Sequence, residues 1–247
     1  MLRRNQYSEV PAVGGEWSSS VALPTASVPA DGAVRRAFPV ALPRYKRPFD
    51  LIVGSILLTL SAPVAAIVAA MVKSTSSGPV LFKQERLGLH SRPFTLYKFR
   101  TMYRGAPSAM HEEYFKQYLQ GEPAPGQERA IYKLRHDPRI TPVGGVLRRL
   151  GLDELPQLFN VITGDMSLVG PRPPLAYEVA QYTPRHMRRL DTKPGCTGLW
   201  QVRGRDMVHF EAMIDMDLEY IERQTILFDL RLCLLTVPAL VWAFCKH

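Results

Sequence analysis

The sequence predicts a mainly helical α+β chain that is monotopic in a membrane, with one kinked re-entrant helix, interfacial helices and a small β element. Three observations predict it. Residues 51–72, LIVGSILLTLSAPVAAIVAAMV, form a run of 22 positions without a charge, and a straight helix of that length covers roughly 33 Å, about the thickness of a bilayer core. Later segments repeat apolar residues at helical spacing. Only residues 80–102 carry the composition and turn signals of paired strands.

The 247 residues hold 31 Lys and Arg against 22 Asp and Glu, a formal charge of +9. Hydrophobic residues at 46% and charged residues at 21% exclude both a wholly disordered chain and an ordinary polytopic membrane protein. Three cysteines, Cys196, Cys233 and Cys245, without a CxxC pair, exclude a disulfide scaffold and a thiolate zinc site and fit a chain facing the cytoplasm. A pI near 9.6 calls for an anionic partner: nucleic acid, a lipid surface or a phosphorylated substrate.

Residues 1–44 carry five prolines and a serine cluster with no apolar periodicity, which predicts a disordered cytoplasmic tail. Residues 45–73 are the membrane element. Pro63 sits near its middle, where a missing amide bends a helix. Both flanks are basic, with Arg44, Lys46 and Arg47 before the run and Lys73, Lys83 and Arg86 after it. Each end therefore prefers the cytoplasm, and a helix that turns at Ala62 and Pro63 and returns satisfies both. Thr59 and Ser61 can supply hydroxyls to the freed carbonyls. A single straight span is the alternative.

Residues 74–247 read as a soluble domain. Val80 to Gln84 and Phe94 to Phe99 are predicted strands around a turn at Gly88 to Arg92. Six Lys or Arg but one acid fall between Lys83 and Arg104, either a solvated basic face or an anion-lined cleft. A helix follows over 108–120. At the end, an apolar stretch of 14 after Arg231 is too short to span and predicts an interfacial helix with Trp242 at headgroup depth, or a buried core helix.

The chemistry concentrates in residues 134–173. Leu155, Leu158, Phe159 and Ile162 define a short amphipathic helix that stops at Gly164, with Asp153 and Glu154 at its beginning. Acids there ordinarily cap the helix. Pro156 weakens that reading, because it has no amide to offer a capping carboxylate. Adjacent carboxylates point about 100° apart on a helix, so the two acids suit different tasks: attack on phosphorus, and handling of a metal or proton. A carboxylate attacking a diphosphate needs charge neutralisation by Mg²⁺ and by Arg or Lys, and Arg148 and Arg149 stand just upstream. In GPRPP two prolines stiffen the backbone around Arg172. In KPGCTGLWQVRGR glycines and Lys193, Arg203 and Arg205 suggest an anion-holding loop. His90, His111 and His136 are scattered and read as surface or loop residues.

The ordered succession KRPFDL, GPVLFKQERLG, YKFRTM, DPRITPVGG, LRRLGLDELPQLFNVITGDMSLVGPRP and KPGCTGLWQVRGR resembles the bacterial sugar transferase family, the monotopic phosphoglycosyl transferases. The similarity runs from about Lys46 to the C-terminus. It implies transfer of a sugar 1-phosphate from a UDP-sugar to undecaprenyl phosphate at the cytoplasmic face of the bacterial inner membrane, with release of UMP, at the start of exopolysaccharide or other glycoconjugate assembly. The resemblance makes Asp153 the nucleophile that forms a covalent phosphosugar, Glu154 its partner in metal or proton handling, and Asp153 the protein ligand of Mg²⁺. Lys98, Arg148 and Arg172 would bind phosphate and nucleotide, and Arg100 and Arg205 complete the substrate-binding set. The family's helix breaks at Ser-Pro, where this chain has Ala62 and Pro63. Residues 1–44 contain no spanning run, so the chain resembles the small form with the catalytic domain alone. Membrane lipids are further partners, a homo-oligomer is allowed, and nucleic acid is not expected because no recognition motif accompanies the basic residues. Two alternatives stay open: a direct single-step transfer with both acids on a metal, and a non-catalytic membrane adaptor.

Overall fold

The computed structural model describes residues 42–103, 109–119, 137, 139–203 and 209–245. The sequence-predicted tail therefore lies almost wholly outside the described residues.

Helix α1 (Lys46–Thr75) runs through Pro63 without interruption. Thr59 and Ser61 donate to the carbonyls of Ser55 and Leu58, upstream of the Thr59 carbonyl that Pro63 leaves without its amide. One stripe of the helix, Ile52, Ile56, Leu60, Val64, Ile67 and Met71, is exposed, with the spacing of a single helical face. The opposite face packs at both ends. Phe49 joins the main core, while Val68 and Val72 join a second cluster with Phe99 and Leu147.

The N-terminal end is fastened by a buried charge network. Lys46 Nζ donates to Asp229 at 2.7 Å, to the Tyr220 hydroxyl at 2.5 Å and to the Val169 carbonyl at 2.7 Å. Asp50 accepts from the Ser167 hydroxyl and the Leu168 amide, and Arg47 donates to the carbonyls of Val161 and Ile162. Breaking a buried pair of this kind by removing one partner costs about 3–5 kcal/mol.

Strands β1 (Leu81–Leu87) and β2 (Pro93–Phe99) form an antiparallel hairpin in which Phe82 faces Lys98 and Arg86 faces Phe94. The turn between them holds His90 and Ser91 at positive φ. Helix α2 (Ala109–Leu119) matches the predicted one. Helix α3 (Pro142–Leu150) begins with Thr141 accepting from the Gly144 amide and Pro142 in the first turn, and ends at left-handed Gly151. A 3₁₀ turn over Leu152–Glu154 leads to α4 (Gln157–Thr163), which ends at Gly164 with φ 95°.

Strand β3 (Ser167–Val169) pairs in parallel with β4 (Gly195–Thr197). Short helices α5 (Ala176–Val179) and α6 (Pro184–Met187) make the crossover, and α7 (Leu199–Arg203), α8 (Phe210–Glu222) and α9 (Ile226–Cys245) follow. Helix α9 starts earlier than the apolar run after Arg231 predicts. Asp229 lies inside it because Lys46 and Tyr220 satisfy that carboxylate. Trp242, expected at headgroup depth, has a side chain outside the description.

Candidate active site

Two glycine contacts set the frame of the site. A Cβ on Gly144 would fall on the Thr101 carbonyl, so its absence lets α3 lie against the chain leaving β2. The Thr141 amide donates to the same carbonyl at 2.9 Å. A Cβ on Gly195 would fall on the Gly170 amide, so β4 can approach the turn after β3 only with glycine there. Arg148, at the end of α3, and Arg172, just beyond β3, are thereby brought to one cavity of about 410 Å³.

Asp153, Glu154, Lys98, Arg148 and Arg172 all line that cavity. The two acids stand in the 3₁₀ turn between Gly151 and Leu155, one turn ahead of α4. This corrects the expectation that they open the helix itself. Pro156 occupies the cap position of α4, and the left-handed Gly151 lets the chain reverse so that the acids face back toward α3. Asp153 is buried to 8% exposure, yet it borders open space rather than hydrocarbon. Glu154 accepts from Lys98 Nζ at 3.1 Å.

The electrostatics tie the five residues together. Burial pushes the Lys98 ammonium below its ordinary value; Arg172 and Arg86 push the same way, and Glu154 and Asp153 oppose them. Burial also lowers Arg148, with Asp153 the strongest charge acting against that shift. Asp137, a further cavity residue, is raised by burial but held below the usual carboxylate range by hydrogen bonds from Arg139 at 2.7–2.8 Å. Burial raises the Cys196 thiol far above neutrality. It lines the same cavity but offers no thiolate, so the nucleophiles in reach are the carboxylates.

Arg172 owes its place to anchors on both sides. The Val169 carbonyl accepts from Lys46 and from Tyr220. Gly170 and Pro171 bond to β4 through the Thr197 carbonyl and the Gly195 amide, each at 2.9 Å. Arg189, paired with buried Asp217 at 2.7 Å, reaches the Arg172 carbonyl. Arg86 and the Leu87 amide take the carbonyls of Pro173 and Pro174, each at 3.0 Å. The stiffness expected from the flanking prolines is therefore supplemented by long-range hydrogen bonds that the sequence does not announce.

Not every expected residue reaches the cavity. Arg100 follows the end of β2, where strand alternation stops, and its guanidinium bonds the carbonyls of Val72, Ser76 and Pro79 at the far end of α1. It fastens the helix and stands apart from the acids. Arg205 and its neighbours 204–208 lie outside the described residues. Lys193 and Arg203 are not among the lining residues; Arg203 pairs with Glu219 on the surface. The segment read as an anion-holding loop is instead β4 and α7, which contribute Cys196, Thr197, Trp200 and Gln201 to the cavity wall. No periodicity marks those four, although all fall inside a motif of the sequence. Among the described residues no histidine lines the cavity.

Among the described residues no cluster of three or more His, Cys, Asp or Glu is arranged to hold a metal. Asp137, Asp153 and Glu154 border the cavity, and Mg²⁺ commonly rests on one or two carboxylates together with substrate phosphates and water, so these side chains fit that ion.

A family model for bacterial sugar transferases matches residues 42–243. The exopolysaccharide production protein ExoY of Rhizobium meliloti is 38% identical over 195 residues, 78% of this chain and 84% of ExoY. An undecaprenyl-phosphate galactose phosphotransferase of Salmonella typhimurium is 37% identical over 197 residues, 79% of this chain and 40% of that protein. A UDP-glucose:undecaprenyl-phosphate glucose-1-phosphate transferase of Escherichia coli is 36% identical over 200 residues, 78% of this chain and 39% of that protein.

Proposed function

The chain belongs to the bacterial sugar transferase family, and from that premise we propose that it moves a sugar 1-phosphate from a UDP-sugar onto undecaprenyl phosphate, releasing UMP, to begin assembly of an exopolysaccharide or related glycoconjugate. The observation that carries this reading is Asp153 among Lys98, Arg148 and Arg172 on one cavity wall, beside a long exposed apolar helix. An acid so surrounded stays available for attack on an anionic phosphorus, because the cations neutralise both reactants.

Reaction proceeds in two displacements. An Asp153 carboxylate oxygen attacks the sugar-bound phosphorus, forming a phosphorus–oxygen bond as the bond to the bridging oxygen breaks and UMP leaves with its electron pair. The phosphate oxygen of undecaprenyl phosphate then attacks the same phosphorus. The bond to Asp153 breaks, the carboxylate is restored and undecaprenyl diphosphate sugar departs. Arg172, rigidly mounted, orients the nucleotide phosphate, while Arg148 and Lys98 hold the transferred phosphoryl group. Glu154, in contact with Lys98 at 3.1 Å, positions that lysine. Mg²⁺, held by Asp153 and the donor phosphates, would supply further charge neutralisation.

Attachment to the cytoplasmic face of the inner membrane is part of this reading, and α1 supports the membrane contact. A straight helix of its 30 residues would extend about 45 Å, yet both ends pack on one protein body: Lys46 on Asp229, and Val72 with Phe99 and Leu147. Only 11% of its most apolar window is buried. This supports a re-entrant element over residues 45–73 that dips into one leaflet from the side of the catalytic domain, residues 74–247; Pro63, through which the helix runs unbroken, would be its point of bending. The single-step alternative needs both acids on a metal, whereas Glu154 is engaged by Lys98.

The test is UMP release from a panel of UDP-sugars with undecaprenyl phosphate, together with exchange of labelled UMP into UDP-sugar without acceptor. Turnover with at least one sugar and acceptor-free exchange are expected. Asp153→Asn should lose turnover, exchange and covalent adduct together. Full activity in that variant would refute the nucleophile, and turnover without exchange would favour the single step.

A further inference from the structure

We propose that the outer, apolar half of the cavity, between α1 and α9, seats the isoprenoid units of the acceptor next to its phosphate; this rests on the reading of the chain as a transferase to undecaprenyl phosphate. The cavity changes character along its length. Its inner end carries Lys98, Arg148 and Arg172, whereas Leu57 and Ser61 of α1, Trp200 and Val202 of α7, and Thr236 and Val237 of α9 line the rest.

The two hydroxyls on that wall are already satisfied by protein. Thr236 Oγ1 bonds Thr197 and the Leu232 carbonyl, each at 2.7 Å, and Ser61 Oγ bonds the Leu58 carbonyl. Their donors are spent within the protein, so this stretch of wall suits hydrocarbon better than a sugar or a nucleotide base; Gln201, whose buried Oε1 has no partner among the described residues, lies instead toward Lys98 and Arg172. The same two helices carry exposed apolar residues on their outer surfaces, including Ile56 and Leu60 of α1 and Leu227 and Leu234 of α9. Leu57 and Val237 belong to both settings, lining the cavity while being 40% and 62% exposed. A ligand entering between them passes from a lipid-facing surface to a cationic end without crossing polar ground. One phosphate on one long hydrocarbon chain matches that sequence of environments. A free nucleotide matches only the inner end.

Leu57→Trp and Val237→Trp would fill the slot from opposite sides at partly exposed positions that a larger side chain can occupy. With the full chain in nanodiscs, each should raise KM for undecaprenyl phosphate by about tenfold or more while KM for the UDP-sugar stays within about twofold. A polyprenyl phosphate with a diazirine on its first isoprene unit should label the peptides containing residues 57 and 237, and the substitutions should reduce that labelling. Unchanged acceptor KM with labelling elsewhere overturns the proposal. So does an equal rise in both KM values, which would mean that the wall supports the fold and not the lipid. If the wild-type enzyme released no UMP from any UDP-sugar, the transferase reading would fail, and labelling would still report whether a prenyl phosphate occupies the slot.

Discussion

Replacing Lys46 by Met tests how firmly the start of α1 is tied to the turn that carries Arg172. Asp229 is fully buried and accepts from Lys46 at 2.7 Å, from Tyr220 at 2.7 Å and from Tyr45 at 3.1 Å. Removing the ammonium leaves that carboxylate with two neutral donors, and an uncompensated buried charge costs about 3–5 kcal/mol. For a chain of this size each kcal/mol moves the melting temperature by roughly 2–4 °C, so Lys46→Met should melt about 6–20 °C below wild type. Adding Asp229→Leu removes the stranded charge, and the Tyr220 hydroxyl keeps the Val169 carbonyl at 3.0 Å. The double variant should therefore be more stable than Lys46→Met alone. Thermal unfolding of wild type, both single variants and the double variant gives the coupling directly. If the double variant were destabilised by the sum of the singles, the pair would not be acting as a unit and the reasoning would fail.

The lowered Lys98 ammonium gives a pH signature. In the proposed reaction its charged form holds phosphate, so kcat/KM should fall as pH rises through a value below that of an ordinary lysine, and Lys98→Arg should move that limb upward. Stability runs the other way: between the lowered folded value and the unfolded one the unfolded chain binds more protons, so the contribution of Lys98 to stability improves as pH rises. Lys98→Met should thus lose about 1.5–3 kcal/mol of transition-state binding, the range for a charge-assisted hydrogen bond, with little loss of melting temperature; a profile unchanged by Lys98→Arg would clear this lysine of any role in the limb. Gly195→Ala places a methyl on the Gly170 amide and within 2.6 Å of the Thr197 carbonyl. Because backbone crowds it on both sides, it should cost at least about 3 kcal/mol and most activity, and wild-type melting would contradict the close approach of β4 to the turn.

The residues that line the candidate site were legible where they sit in local patterns. Asp153 and Glu154 stand in the turn ahead of a helix capped by Pro156, Arg172 lies between prolines, and Gly151 and Gly164 end helices in the left-handed conformation. Local patterns also yielded the hairpin and α2. What they do not encode is partnership across the chain. Asp229 and Arg231 look like the polar edge of an apolar helix, but Lys46, 183 positions away, neutralises Asp229 and lets α9 begin earlier. Arg100 looks like another phosphate ligand beside Lys98, but β2 ends between them and its guanidinium turns to the carbonyls at the end of α1. Cys196, Trp200 and Gln201 were invisible as cavity residues because a three-residue strand and a five-residue helix are too short for any period to declare a face.

The division of labour in the site follows from these anchors. Arg172 is held through a backbone hydrogen bond at each residue from Val169 to Pro174, with partners from α1, β1, β4, α8 and the turn carrying Arg189. Asp153 instead stands in a single 3₁₀ turn whose hydrogen bonds, from Glu154 to Gly151 and from Leu155 to Leu152, are each 3.3 Å long. The mount of the cation is thus far more constrained than the mount of the carboxylate. That asymmetry suits a reaction in which the nucleotide end must stay fixed while the phosphorus moves between two oxygens on opposite sides. The same anchors would couple the proposed membrane attachment to the proposed chemistry, because Lys46 at the start of α1 bonds the Val169 carbonyl at the end of the strand that leads to Arg172. A helix pulled from its seat would withdraw a donor from that strand and, through Val68 and Val72, the packing of Leu152 and Leu155 on either side of the acids.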